Sequence, residues 1–203
     1  MNPGYAQILT CPHCGTKKEV LSLISGNTFG QTLWSDNKTI TPMLPKVSFV
    51  QKCPHCGKYY LLSRQETEYG KTYSFELGEL NYEETKEAWN MLKGTENLTE
   101  NEKLEILIMQ VWAFNDSYTR KNDSTAPTDE QAYIKGIIGL LIKLDNVDDL
   151  LKAELLREIG HFEKALELLN NYPAGNDFLE GLKSRFREHA LASDSRPFII
   201  YEE

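Results

Sequence analysis

Cys11-Pro12-His13-Cys14-Gly15 and Cys53-Pro54-His55-Cys56-Gly57 are one pentapeptide written twice, and together they use all four cysteines of the 203-residue chain. A two-residue gap lets both sulfurs of a pair reach the same ion, so two pairs supply the four thiolates of a closed tetrahedral shell, the arrangement of a structural zinc site. Pro12 and Pro54 stiffen the turns, and Gly15 and Gly57 accept the positive φ needed where the chain folds under the second sulfur. Cys11, Cys14, Cys53 and Cys56 are therefore the candidate metal ligands, holding one structural Zn2+. The pairs are separated by 38 residues, positions 15 to 52. Closing a loop of that length costs about 3 kcal/mol, whereas structural zinc contributes roughly 10 to 16 kcal/mol in small zinc-dependent domains. The N-terminal part is thus expected to fold only with its metal.

Three other uses of the cysteines stay open at this level. Iron takes the same four thiolates, as in rubredoxin-like knuckles. A CPHC tetrapeptide also resembles the active site of thioredoxin-like thiol redox proteins, but there the motif opens a helix, and here Gly15 and Gly57 stand where that helix would begin. A disulfide framework is the weakest reading, because no secretory context accompanies the cysteines. His13 and His55, inside the knuckles, are read as outward-pointing bystanders of a shell that four thiolates already fill. Such a shell leaves no position for water or substrate, so catalysis at the metal is not expected, and no catalytic or cofactor-binding residue is assigned.

The net charge of −8 is unevenly placed. Residues 1–75 carry 8 Lys or Arg against 4 Asp or Glu, a balance of +4; residues 76–203 carry 14 against 26, a balance of −12. Zinc with four thiolates removes two positive charges from the first part, leaving too little for a nucleic-acid surface argued from charge alone. Residues 1–10 lack the basic start and apolar run of a signal peptide, and no apolar stretch is long enough to span a membrane. A cytoplasmic protein is expected, in which the sequons at Asn37, Asn97, Asn115 and Asn122 carry no meaning.

Along the chain, residues 19–24, 32–34, 47–50, 58–63 and 72–77 read as strands, with a hairpin turn at 35–38. Phe29 and Trp34 are expected to pack the small core of this β-rich part, with an aromatic recognition patch as the alternative. From Tyr82 the apolar spacing becomes helical, and the boundary falls between Gly70 and Asn81. A first helix spans 82–93, capped by Asn81 and stopped by Gly94. A second starts at a Thr99/Glu102 capping box, with Leu104, Leu107, Ile108, Val111 and Trp112 as its buried stripe. It frays near Tyr118, before a polar loop at 120–127, and Asn115 and Asp116 near its end are read as solvent-facing or capping. Thr128 and Gln131 cap a third helix, apolar on more than one side and so central. The carboxylate pairs Glu83-Glu84 and Asp148-Asp149 fit helix starts, where negative charge is favoured.

Residues 153–169, Ala153 through Leu169, resemble the middle of a tetratricopeptide repeat: Ala153 and Ala165 allow close helix crossing, Gly160 turns the chain and Phe162 wedges between the helices. The match covers one helical hairpin; a second copy at the repeat's period is not evident. A last helix over 177–190 presents Phe178, Leu179, Leu182 and Phe186 on one face, and residues 198–201 form a terminal strand tied to the ribbon's sheet or to a partner.

The whole resembles a bacterial family that places a double CPxCG zinc ribbon before tetratricopeptide-like helices, a resemblance with which no reaction is associated. The fold class expected is α+β: a β-rich zinc ribbon over residues 1–75, then an all-α, TPR-like helical domain over 76–203. The function expected is a non-catalytic zinc-binding adaptor that meets another protein through the helical domain. The alternative is a nucleic-acid-associated regulator using the ribbon.

Overall fold

The computed structural model describes residues 1–95, 97–120, 125–173 and 175–202. Short strands come first: β1 (Asn2–Pro3), β2 (Gln7–Thr10), β3 (Lys17–Val20), β4 (Leu23–Ser25), β5 (Thr32–Trp34), β6 (Thr39–Ile40), β7 (Val50–Lys52), β8 (Tyr59–Leu61) and β9 (Glu68–Tyr69). Helices follow: α1 (Tyr82–Thr95), α2 (Glu100–Phe114), α3 (Thr128–Leu141), α4 (Asp149–Glu158), α5 (Phe162–Asn171) and α6 (Asp177–Leu191), and then strand β10 (Ile199–Glu202). This is a mixed α and β chain. Among the described residues no helix is long and apolar enough to cross a membrane.

The chain forms two compact units, one of residues 1–31 and 40–98, the other of residues 32–39 and 99–202. They do not divide at residue 75. Helix α1 belongs with the strands, because its Glu87 accepts from the Tyr59 hydroxyl at 2.6 Å and its Glu84 pairs with Lys52 at 2.9 Å. Segment 32–39 belongs with the helices, for reasons given below.

In the first unit β2 lies between β3 and β9, and β7 pairs with β8; all these pairings are antiparallel. Leu9, Val20 and Tyr60 close over Cys11 and Cys53 to make the small core. Residues 72–77 are not the strand expected. Their carbonyls accept one at a time from different segments, Thr72 O from the Ala6 amide, Glu76 O from that of Leu21 and Leu77 O from that of Ser48, so no ladder forms. Gln51 is fully buried, and Gly78 at φ +65° leaves room for its amide, which a Cβ there would meet at 2.1 Å. Phe29 is 67% exposed, which corrects its assignment to the core: the turn at 25–30 carries it outward.

In the second unit α2 starts at the Thr99/Glu102 capping box, with both reciprocal bonds present. Its buried side is Ile106, Leu107, Ile108, Gln110, Val111 and Phe114, while Leu104 and Trp112 are only half-buried. The end of α2 does not fray but widens into a π-helical turn, Asn115–Thr119; the polar loop expected at 120–127 lies partly outside the described residues. Helix α3 is capped at Pro127, not by Thr128, and Leu140 is 42% exposed, so it is buried on one side only. Helices α4 and α5 form the expected hairpin, with Gly160 at φ +81° and Ala153 and Ala165 both fully buried. Phe178 is 65% exposed and lies off the buried face of α6, which is Lys183, Phe186 and Ala190.

The terminal strand is tied down inside this unit. β10 pairs antiparallel with β5, Ile199 facing Trp34, and Arg185 donates to the carbonyls of Ile199 and Ile200 at 2.6 and 2.8 Å. Trp34 therefore packs with the helical unit, not in a ribbon core, and the Arg120 guanidinium sits 4.8 Å over its ring.

Candidate metal centre

Each CPHCG stretch is the tip of an antiparallel hairpin. The first joins β2 to β3 where Thr10 faces Lys17, and the second joins β7 to β8 where Lys52 faces Tyr59. The two tips are closed by the same two backbone bonds: Gly15 N donates to Cys11 O and Cys11 N to Thr16 O at 2.9 Å, while Gly57 N donates to Cys53 O at 3.0 Å and Cys53 N to Lys58 O at 2.9 Å. Gly15 and Gly57 adopt φ of +74° and +70°, as the turn requires. Neither motif opens a helix; strands follow both, so the helix-dipole activation of a thioredoxin-like thiol has no counterpart here.

The four sulfurs converge within 4.8 Å of one another, a group that can hold a metal ion. Cys11 Sγ lies 3.7 Å from Cys56 Sγ, and Cys14 Sγ lies 3.6 Å from Cys53 Sγ. A tetrahedron with metal–sulfur bonds of about 2.3 Å has edges of about 3.8 Å, so both spacings suit a single ion. All four cysteines are free rather than disulfide-bonded. Cys11 and Cys53, the first of each pair, are buried, whereas Cys14 is exposed and Cys56 half-buried.

Backbone amides surround the sulfurs. Those of His13 and Cys14 point at Cys11, those of His55 and Cys56 at Cys53, that of Thr16 at Cys14 and that of Lys58 at Cys56. Such donors stabilise thiolates and orient them toward an ion. Their effect divides the thiols: the Thr16 hydroxyl, 3.3 Å from Cys14 Sγ, pulls Cys14 down to about 5, while burial pushes Cys11 up to about 12. Burial, and then the charge of the four thiolates, pushes the Tyr60 hydroxyl up to about 12, so it faces them neutral.

His13 and His55 are both exposed. His13 Nε2 donates to Tyr59 O at 3.2 Å, linking one knuckle to the opposite hairpin, a role that its place inside the motif does not announce. Thr16 was also missed from the sequence; a hydroxyl two residues after a ligand cysteine is the signal that could have found it. In comparisons with family models, curated proteins and solved structures, none matches the chain.

Proposed function

We propose that the protein is a non-catalytic, cytoplasmic adaptor in which one structural zinc ion, held by Cys11, Cys14, Cys53 and Cys56, maintains the first unit while the helical unit meets another protein. The observation that carries the reading is the sulfur spacing of 3.6 and 3.7 Å at the tips of two equivalent hairpins. Four protein thiolates complete the zinc shell, so the metal has no position left for water and acts by holding the chain. Iron fits the same sulfur cage, and zinc is preferred because it is the usual ion of closed four-cysteine structural sites. The α4–α5 hairpin, turned at Gly160 and crossed at Ala153 and Ala165, supports a tetratricopeptide-like unit, and the balance of −12 over residues 76–203 favours a basic partner. Affinity capture with the full chain, followed by elution in salt, tests the adaptor role. A stoichiometric basic protein released by salt is expected; retention of no protein would contradict the role.

A second reading is favoured by one observation. Tyr5 and Tyr73 stack at 5.5 Å and are 55% and 59% exposed, and stacked exposed aromatics can receive unpaired bases. Salt-dependent binding of single-stranded RNA or DNA, lost in Tyr5→Ala/Tyr73→Ala, would move the assignment to a nucleic-acid-associated regulator.

A further inference from the structure

The helical unit contains a cavity of about 740 Å³, a volume typical of small-molecule sites. Its apolar lining is Phe114 of α2, Ile134 and Ile138 of α3 and Phe162 of α5. Two departures from regular backbone border it. The π-helical turn contributes Asn115, Tyr118 and Thr119, and single π-turns often accompany functional sites. Ser193, another lining residue, stands just past the end of α6 at φ +54°, a left-handed position that glycine normally fills. Such backbone costs free energy, and residues that carry it gather at ligand sites.

The charge that the cavity offers a ligand is positive. Gln131, Ile134, Lys135 and Ile138 all line it and recur at helical spacing, so one face of α3 meets the cavity and Lys135 stands on that face. Lys135 is exposed and has no ion-pair partner among the described residues. Glu158, the one acid among the described lining residues, is spent inside the wall: Oε2 accepts from Asn115 Nδ2 at 3.0 Å, and Oε1 is buried.

Arg196, the second lining cation, is positioned by the chain around it. Arg157, 1% exposed and bound through Nε to Glu154 at 2.8 Å, donates to the carbonyls of Asp194 and Arg196 and so fixes the segment that follows α6. Asp194 in turn accepts from the Arg196 amide at 3.1 Å and from its Nε at 3.2 Å. Among the described residues the two terminal nitrogens of Arg196 have no other partner, so that end of the guanidinium is left for an anion. A carboxylate matches this fork, because two N–H groups can donate side by side to its two oxygens.

We propose that this cavity binds a small amphiphilic organic anion, an aryl- or alkylcarboxylate, whose head is held by Lys135 and Arg196 and whose apolar body lies against Phe114, Ile134, Ile138 and Phe162.

The test is calorimetric titration of the full metallated chain with three probes of one shape and different charge: 4-phenylbutanoate, 4-phenylbutan-1-ol and 4-phenylbutylammonium. The expected result is that 4-phenylbutanoate binds at least about tenfold more tightly than the other two, the ratio that one charge-assisted hydrogen bond supplies. That advantage should be lost in the double variant Lys135→Gln/Arg196→Gln and kept in Lys164→Gln, which removes an exposed cation that does not line the cavity. Lys135 and Arg196 are both exposed, so their replacement leaves the fold in place. Tightest binding of the ammonium, equal binding of all three probes, binding of none, or an anion preference that survives the double variant would each overturn the proposal.

Discussion

Cys14 and Cys11 sit in one cage and titrate on opposite sides of neutrality, Cys14 pulled down to about 5 by the Thr16 hydroxyl and Cys11 pushed up to about 12 by burial. For Cys14, folded stability is fully present above the ordinary thiol value and is lost as pH falls through about 5. Burial acts on Cys11 in the opposite sense, and zinc overrides it by holding Cys11 as a thiolate. Asp36 is the other residue on which much rests. Its carboxylate is fully buried against Arg120 and Asn115, so Asp36→Ala leaves Arg120, itself almost entirely buried, without its buried partner and with only the half-exposed Asp116. Removing one partner of such a pair costs about 3 to 5 kcal/mol, and urea unfolding of the variant should show a loss of that size; a loss below about 1 kcal/mol would mean that the pair behaves as a surface one.

At the scale of elements, the starts of α1 and α2 were legible because a side-chain cap is local chemistry, whereas α3, which starts at Pro127 with no such bond, was assigned the wrong cap. Thr99 and Glu102 are three residues apart and bond each other's backbone, and Asn81 and Glu84 do the same at α1, with bonds of 3.0 and 3.1 Å. Thr99→Ala should destabilise the protein by about 1 kcal/mol, measured by thermal or urea unfolding. The knuckles were legible for the same reason: two residues between ligands fix a turn before any tertiary contact forms. Asn115 was not. Its partners Asp36 and Glu158 lie 79 and 43 positions away, and helical periodicity cannot tell a solvent-facing amide from one that bridges two buried carboxylates. Trp34 failed similarly, since only the pairing of β5 with β10 and the stacking of Arg120 reveal which core it joins. Thr72–Leu77 has strand-like residues, but its carbonyls answer to separate neighbours and no ladder can form.

For the molecule as a whole, the compact units follow contacts, not the compositional shift near residue 75. Segment 32–39, embedded in the β-rich half of the sequence, supplies the second unit with β5, Asp36 and Trp34, while α1 completes the first. The loop between the knuckles thus carries a piece of another unit and is more than a spacer. Full chelation should remove amide-exchange protection from the hairpins β2–β3 and β7–β8, because their tips meet at the sulfurs and their shared core is small. Unchanged protection there would show that the strands stand without metal. The most direct test of the central claim is X-ray absorption at the metal edge of the purified protein. The account predicts one zinc ion per chain with four sulfur neighbours at about 2.3 Å; a shell with nitrogen or oxygen neighbours, fewer than four sulfurs, or no bound ion would contradict it.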